Sequence, residues 1–348
     1  MRILVTIPAG EVRSTFLPDD VLAAFADMGE VVYNELGRQY TSAELGEALV
    51  GVDVAVTGWG TKGITGEVLK SCDRLKLIAH TGGSVADLVD STTFEKGITV
   101  VCGNKLFAES VAEGTIAYMT SMMRRIPDYV QNIRDGGWQL SYGSHTEGLF
   151  DRTIGILGVG AIARNLMEML KPFRCRFLVW DDNYTIDPDY LASVNARQTT
   201  LDEVMSSCSV VSLHASMTPD SYGLLGKREF MMMQEGALFI NTARGAIVRE
   251  NEMIEALQER TDLRAVLDVF EKEPVGADSP LRRLENVYLM PHMAGPTIDR
   301  RPVIGRAMLK DIQSFFAGGK LEHSIGAAAA SRMTSHTLVD KIMEDKKK

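Results

Sequence analysis

A chain of 348 residues with 45% hydrophobic content is long enough, and apolar enough, to build two globular domains. Its net charge of −9 argues against a nucleic-acid partner, and no run reaches the roughly 20 apolar residues that would span a bilayer. The four cysteines, Cys72, Cys102, Cys175 and Cys208, are scattered without C-x-x-C pairing. Buried thiols in a reducing compartment are expected rather than disulfides or a metal site.

The apolar start, residues 2–7, is too short for a signal peptide and reads as a first strand, so a cytoplasmic protein is expected. Asp19 and Asp20 open a helix whose apolar face is Val21, Leu22, Phe25 and Met28. Residues 31–33 read as strand, Ser42 opens a second helix, and strands follow at 52–56, 75–79 and 98–102. Residues 106–126 read as one long helix with Val111, Ile116, Met119 and Met123 inward. Asp135-Gly136-Gly137 ends that pattern, and 138–150 is an aromatic-bearing loop.

The stretch 153–182 organises the rest. Ile154, Ile156 and Leu157 form a short strand, and Gly158-Val159-Gly160-Ala161-Ile162-Ala163 is a G-x-G-x-x-A turn. Ile162, Leu166, Met167 and Leu170 recur at helical spacing, Pro172 stops the helix, and 177–180 is a second strand ending at Asp181. This order is that of a dinucleotide-binding unit. Gly158 permits the turn, Gly160 leaves room for a pyrophosphate, and the helix amides at Ala161 and Ile162 face the anion. Asp181 lies eighteen residues beyond Ala163, near the spacing of an acid that binds a ribose hydroxyl.

Further elements are expected at 201–205 (helix), 210–213 (strand), 227–233 (helix), 238–241 (strand), 250–257 (helix), 265–270 and 287–290 (strands) and 304–316 (helix). The charged end, 340–348, reads as a solvated tail. Strands alternating with helices predict an α/β fold of two doubly wound parallel-sheet domains. Three motifs then fall at strand ends, where such sheets bind ligands: Asn241-Thr242-Ala243-Arg244-Gly245, Leu267 to Pro274, and Met290-Pro291-His292-Met293-Ala294-Gly295. Arginine grips a carboxylate with two parallel hydrogen bonds. Histidine exchanges a proton near neutral pH, and glutamate holds and charges it. No second histidine stands at metal-ligand spacing to His292.

With Ala108-Glu109-Ser110-Val111-Ala112-Glu113, Leu213-His214 and Thr218-Pro219, these motifs make residues 75–316 resemble the D-2-hydroxyacid dehydrogenase family. The resemblance implies a Rossmann-type NAD-binding domain at 103–294, a discontinuous flavodoxin-like substrate domain at 1–102 and 295–330, and a tail at 331–348. It implies a site in the cleft and hydride transfer between NAD(H) and C2 of a 2-oxo or 2-hydroxy acid. Arg244 matches the family's substrate-carboxylate residue, Glu273 and His292 its acid–histidine pair. Asp268 matches the aspartate near the nicotinamide, with Thr242 and His214 on the cofactor side. Gly82, Gly83 and Ser84 stand where backbone amides meet the substrate carboxylate. A homodimer is expected, with 126–150 contributing Trp138, Tyr142 and Phe150. Ser216, in place of a loop proline, and the stretch His80 to Val85 depart from the family pattern. Gly58 and Trp59 replace an arginine typical of phosphoglycerate-using members, which argues against a phosphorylated substrate. A redox-sensing corepressor, or a formate or phosphite dehydrogenase of the same fold, are the alternatives.

Overall fold

The computed structural model describes residues 1–139, 146–181, 185–335, 337 and 342. It divides into two compact units, Met1–Ala108 with Pro296–Lys348, and Glu109–Gly295. The first division falls inside a helix, Asn104–Met123, six residues beyond the boundary expected at 102/103.

The first unit is a five-stranded sheet: β1 Arg2–Val5, β2 Glu30–Tyr33, β3 Val54–Thr57, β4 Leu77–His80 and β5 Thr99–Cys102. Every pairing is parallel, in the order β2-β1-β3-β4-β5. That is the flavodoxin-like winding. Its strands are near-continuous apolar runs because helices cover both faces. Alternation then sorts each strand: Leu4, Ala55, Ile78 and Val100 enter one core, and Ile3, Val54, Leu77 and Val101 the other. The first core is closed by Leu45 and Leu49, the second by Val21 and Phe25 and by Ile304, Met308 and Ile312 of the helix Arg301–Phe316. That last helix approaches so closely that a Cβ on Gly305 would lie 1.8 Å from the Phe16 carbonyl oxygen.

The second unit holds seven parallel strands: β6 Thr153–Leu157, β7 Arg176–Trp180, β8 Ala196–Gln198, β9 Val210–Leu213, β10 Leu238–Asn241, β11 Arg264–Leu267 and β12 Val287–Leu289. Their order, β12-β11-β10-β9-β6-β7-β8, is the Rossmann arrangement with one strand added at an edge. Ile154, Ile156, Phe177, Val179, Leu238 and Ile240 pack with Leu166, Met167 and Leu170 of the helix Ala161–Leu170.

Several expectations are corrected. The long helix stops at Met123, and Ile126–Arg134 is a separate helix. Arg125 takes φ 54° at the break, and Pro127 fits only the first turn of a new helix because it lacks an amide proton. The strand expected at 265–270 ends at Leu267, which puts Asp268 beyond the ladder. A helix at Pro188–Ser193 and the edge strand β8 escape sequence reading because they are short and half exposed. The second helix is capped by Thr41, in a capping box with Glu44. At the C-terminal end, Met333 packs on the first unit's core, and the Ser335 hydroxyl donates to Asp87 at 2.5 Å. The tail expected from 331 is therefore docked over its first residues; all but Ile342 of the charged stretch 340–348 lies outside the described residues.

Gly305→Ala should cost about 1–3 kcal/mol of stability, since a methyl group must displace backbone. Urea unfolding checks this; an unchanged midpoint and slope would refute the close contact.

Candidate active site

Strands β6 and β9 are neighbours whose following connections diverge, which opens a crevice at their C-terminal ends. Gly158 sits there with φ 89°, and a Cβ would lie 2.4 Å from Ala215 Cα, so only glycine fits. Its amide donates to the Trp180 carbonyl at 2.8 Å. Gly160 faces open space, with no atom within 4 Å of a Cβ position. The amides of Gly160, Ala161 and Ile162 have no acceptor among the described residues, as the first turn of a helix requires. Ala163 is fully buried, so the methyl group that replaces a third glycine is accommodated by packing. Asp181 follows β7 directly and accepts the Val159 amide at 2.7 Å. Its carboxylate thus lies across the tip of the turn. Asp182 lies outside the described residues.

His214 follows β9 and is buried. Its Nε2 pairs with Ser212 Oγ at 2.8 Å, while its Nδ1 is buried without a hydrogen-bond partner. Thr242 is buried, its hydroxyl 3.3 Å from that of Thr115. An open glycine cradle, three unclaimed amides, a carboxylate at the second strand and an orphaned imidazole nitrogen fit a dinucleotide.

The loops after β10, β11 and β12 carry the second group of residues. Asn241 shapes the first: its Oδ1 accepts the Ala243 amide at 3.0 Å and its Nδ2 donates to the Arg244 carbonyl at 3.2 Å. Gly245 lets this loop meet the next, since a Cβ would lie 1.8 Å from the Phe270 carbonyl carbon. Arg244 Nη1 donates to the Ala243 carbonyl at 2.6 Å. Glu273 uses one oxygen to accept the Phe270 amide at 3.1 Å and the other to hold His292 Nδ1 at 2.7 Å. Burial pushes the Glu273 carboxyl up, but the His292 hydrogen bond and charge, the Phe270 amide and the Arg244 charge outweigh it and hold it below its ordinary value. With Nδ1 engaged, Nε2 is the nitrogen left to exchange protons. The His292 side chain is 44% exposed, so a substrate can reach it.

His292 has φ 52°, a backbone region uncommon for a residue with a side chain. Asp268 holds it there. One carboxylate oxygen accepts the Met293 amide at 2.8 Å and the Tyr118 hydroxyl at 3.1 Å; the other accepts the Ala294 amide at 2.9 Å. One helix turn before Tyr118, Gly114 lies against Ala294, where a Cβ would be 3.0 Å from its carbonyl oxygen. Asp268 therefore fastens the histidine loop, a role that sequence reading, which assigned it to the cofactor, did not contain. Tyr118, Asn241 and Ser212 carry no local mark as partners, because nothing in a helical tyrosine or a strand-end asparagine announces a distant contact.

In the first unit, Gly82, Gly83 and Ser84 follow β4. Their three successive amides have no acceptor among the described residues. Asn104 Nδ2 donates to the Gly83 carbonyl at 2.9 Å and so turns the Ser84 amide the other way. The Ser84 hydroxyl is spent on the Thr334 carbonyl at 2.8 Å, leaving only its backbone for a ligand. Successive amides of this kind form an anion nest. Burial pushes both His80 and His214 down to about 4, so both stay neutral near pH 7. No metal-binding group of His, Cys, Asp or Glu side chains occurs among the described residues.

Residues 116–294 match the family model described as D-isomer specific 2-hydroxyacid dehydrogenase, NAD binding domain. The chain belongs to this family. Its second unit is accordingly an NAD-binding domain, and NAD(H) its cofactor. The chain is 29% identical to D-3-phosphoglycerate dehydrogenase of Methanocaldococcus jannaschii over 93% of its own length and 59% of the relative's. It thus spans about three fifths of that dehydrogenase, and about half of the human protein of the same name. It is 30% identical to glyoxylate reductase of Thermococcus litoralis, over 77% of this chain and 81% of that one. Among solved structures, D-lactate dehydrogenase from Escherichia coli matches with a TM-score of 0.69 and 25% identity, covering 94% of this chain and all of the other.

Asp181 should disfavour a 2′-phosphate, so kcat/KM should be higher with NADH than with NADPH. Asp181→Ala should narrow that preference by roughly tenfold or more, about the 1.4 kcal/mol of one lost charged contact. A parent enzyme that prefers NADPH would contradict the assignment.

Proposed function

We propose that the chain is an NAD-dependent oxidoreductase that interconverts a D-2-hydroxy acid and its 2-oxo acid. The observation that carries this reading is the Glu273–His292 pair, with the Arg244 charge acting on the same carboxylate. The bound cofactor supplies the hydride for reduction and takes it back in oxidation. Arg244 binds the substrate carboxylate and polarises the ketone, because its fork of donors matches a carboxylate. The amides of Gly82, Gly83 and Ser84 are further carboxylate donors. Protonated His292 delivers the hydroxyl proton from Nε2; neutral His292 removes it in the reverse direction. Glu273 orients the ring and stabilises its charged form. Asp181, Gly158, Gly160, Ala161, Ile162, His214 and Thr242 form the cofactor side.

His292→Gln should lower kcat for 2-oxo acid reduction by about 10²–10⁴-fold, with NADH affinity nearly unchanged by fluorescence titration. Reduction at the parent rate would eliminate this proton donor. Glu273→Gln should keep partial activity, with kcat for reduction lowered by about tenfold, because a neutral amide holds the ring less firmly than a charged acceptor.

We further propose a homodimer in a reducing cytoplasm. Ile126, Val130 and Ile133 lie one turn apart on the helix Ile126–Arg134 and are each over two-fifths exposed, and Trp138 is 80% exposed. An apolar stripe of this kind marks an interface. Tyr142, expected to contribute, lies outside the described residues. The four cysteines are unpaired, and no helix among the described residues is long and apolar enough to cross a membrane. Val130→Glu combined with Ile133→Glu should convert a dimer into a monomer in light scattering at micromolar concentration. A parent that is already monomeric would remove the proposal.

A further inference from the structure

The first sheet has its own point at which the winding reverses. In the order β2-β1-β3-β4-β5, the connections leaving β1 and β3 diverge, so a ligand-sized gap is expected beyond their C-terminal ends. Phe16 comes from the helix after β1, Trp59 from the turn after β3, Phe107 from the helix after β5. The Phe16 and Phe107 rings are parallel, with centroids 6.4 Å apart. Trp59 stands edge-on to both, at 4.9 and 6.0 Å. Phe16 is 1% exposed and Trp59 is 41% exposed, so the tryptophan is the face that a ligand meets.

The turn carrying Trp59 is held on all sides. Gln39 Nε2 donates to the Trp59 carbonyl at 2.7 Å. The Thr61 hydroxyl accepts the Gly58 amide at 3.2 Å and pairs with Thr6 at 3.0 Å. Gly58 packs closely on Ile7, whose Cδ1 would lie 2.8 Å from a Cβ at this position. Arg301 lies over two of the rings, its guanidinium carbon 5.3 Å from the Trp59 centroid and 5.6 Å from that of Phe16. Its contacts to oxygen, with the Pro296 carbonyl and the Thr15 hydroxyl, are both 3.4 Å. Two of its nitrogens, Nε and Nη1, thus face oxygens of its own chain. The aromatic surface also continues to the substrate loop: a Cβ on Gly83 would lie 3.1 Å from the Phe107 ring.

We infer that Trp59, backed by Phe16 and Phe107, receives the side chain at C2 of the substrate, and that the substrate class is 2-oxo acids bearing an aromatic or large apolar group. The inference rests on the dehydrogenase reading, with the substrate carboxylate at the amides of Gly82, Gly83 and Ser84. From that nest, the Gly83–Phe107 contact leads to the exposed tryptophan. A ring stacked on Trp59 removes water from the faces of both partners, whereas a two-carbon substrate leaves the tryptophan wet. Of the Arg301 donors that a phosphate ester would call on, Nε and Nη1 already face Pro296 and Thr15.

The test measures NADH-dependent reduction by the full chain of phenylpyruvate, glyoxylate, 3-phosphohydroxypyruvate and 2-oxoglutarate. Phenylpyruvate should have the highest kcat/KM, by about tenfold or more. Trp59→Ala should lower kcat/KM for phenylpyruvate by about tenfold while leaving glyoxylate within about twofold, and Trp59→Phe should restore most of the loss. The ratio of two substrates on one preparation is independent of how much of the variant is folded. A preference for the phosphate ester, the second carboxylate or glyoxylate, or an equal loss on both substrates in Trp59→Ala, overturns the aromatic pocket and leaves the dehydrogenase standing. No reduction of any of the four removes both.

Discussion

One buried carboxylate governs the geometry of the proposed chemistry. Asp268 is 1% exposed, yet it accepts two consecutive amides and a tyrosine hydroxyl. An ion in that position is tolerable because each oxygen meets a donor; unpaired, it would be among the most costly groups in the chain. The amides that satisfy it belong to the residues immediately after His292. The imidazole is then aimed by its backbone from one side and by Glu273 from the other. The helix that supplies Tyr118 also presses Gly114 on Ala294, so the loop is pinned from two directions.

The two sheets solve one problem twice. Strands buried on both faces have no place for polar chemistry along their length, so it collects where the ladder ends. In the first sheet the amides of Gly82, Gly83 and Ser84 emerge there. In the second, the glycine turn, Asn241 to Gly245, Asp268 and His292 do so. Where backbones approach closely, at Gly158 against Ala215 and Gly245 against Phe270, glycine is required by distance.

Much of this was legible in the sequence. Apolar runs such as Ile154 to Leu157, cut off by a glycine turn, read as buried strands, and that turn followed by Asp181 carries its own geometry. The resemblance placed Arg244, Glu273 and His292, and the last two are hydrogen-bonded. What was hidden depends on contacts distant in sequence. The Tyr118–Asp268 bond spans 150 residues, and no local pattern encodes it. The helix break at Arg125 is masked because apolar periodicity runs on past it, although Pro127 is a local sign. The edge strand β8 has too few residues to show a period.

The left-handed backbone at His292 also restricts what can replace it. Histidine, asparagine and aspartate enter that region more readily than other side chains, and β-branched residues scarcely enter it. Asparagine therefore offers a substitution that discards the proton-carrying ring while sparing the loop's course. Valine or isoleucine would press the backbone towards negative φ and pull the following two amides off Asp268, stranding its charge. At this position the tolerated alphabet is set by a torsion angle before any question of reactivity arises.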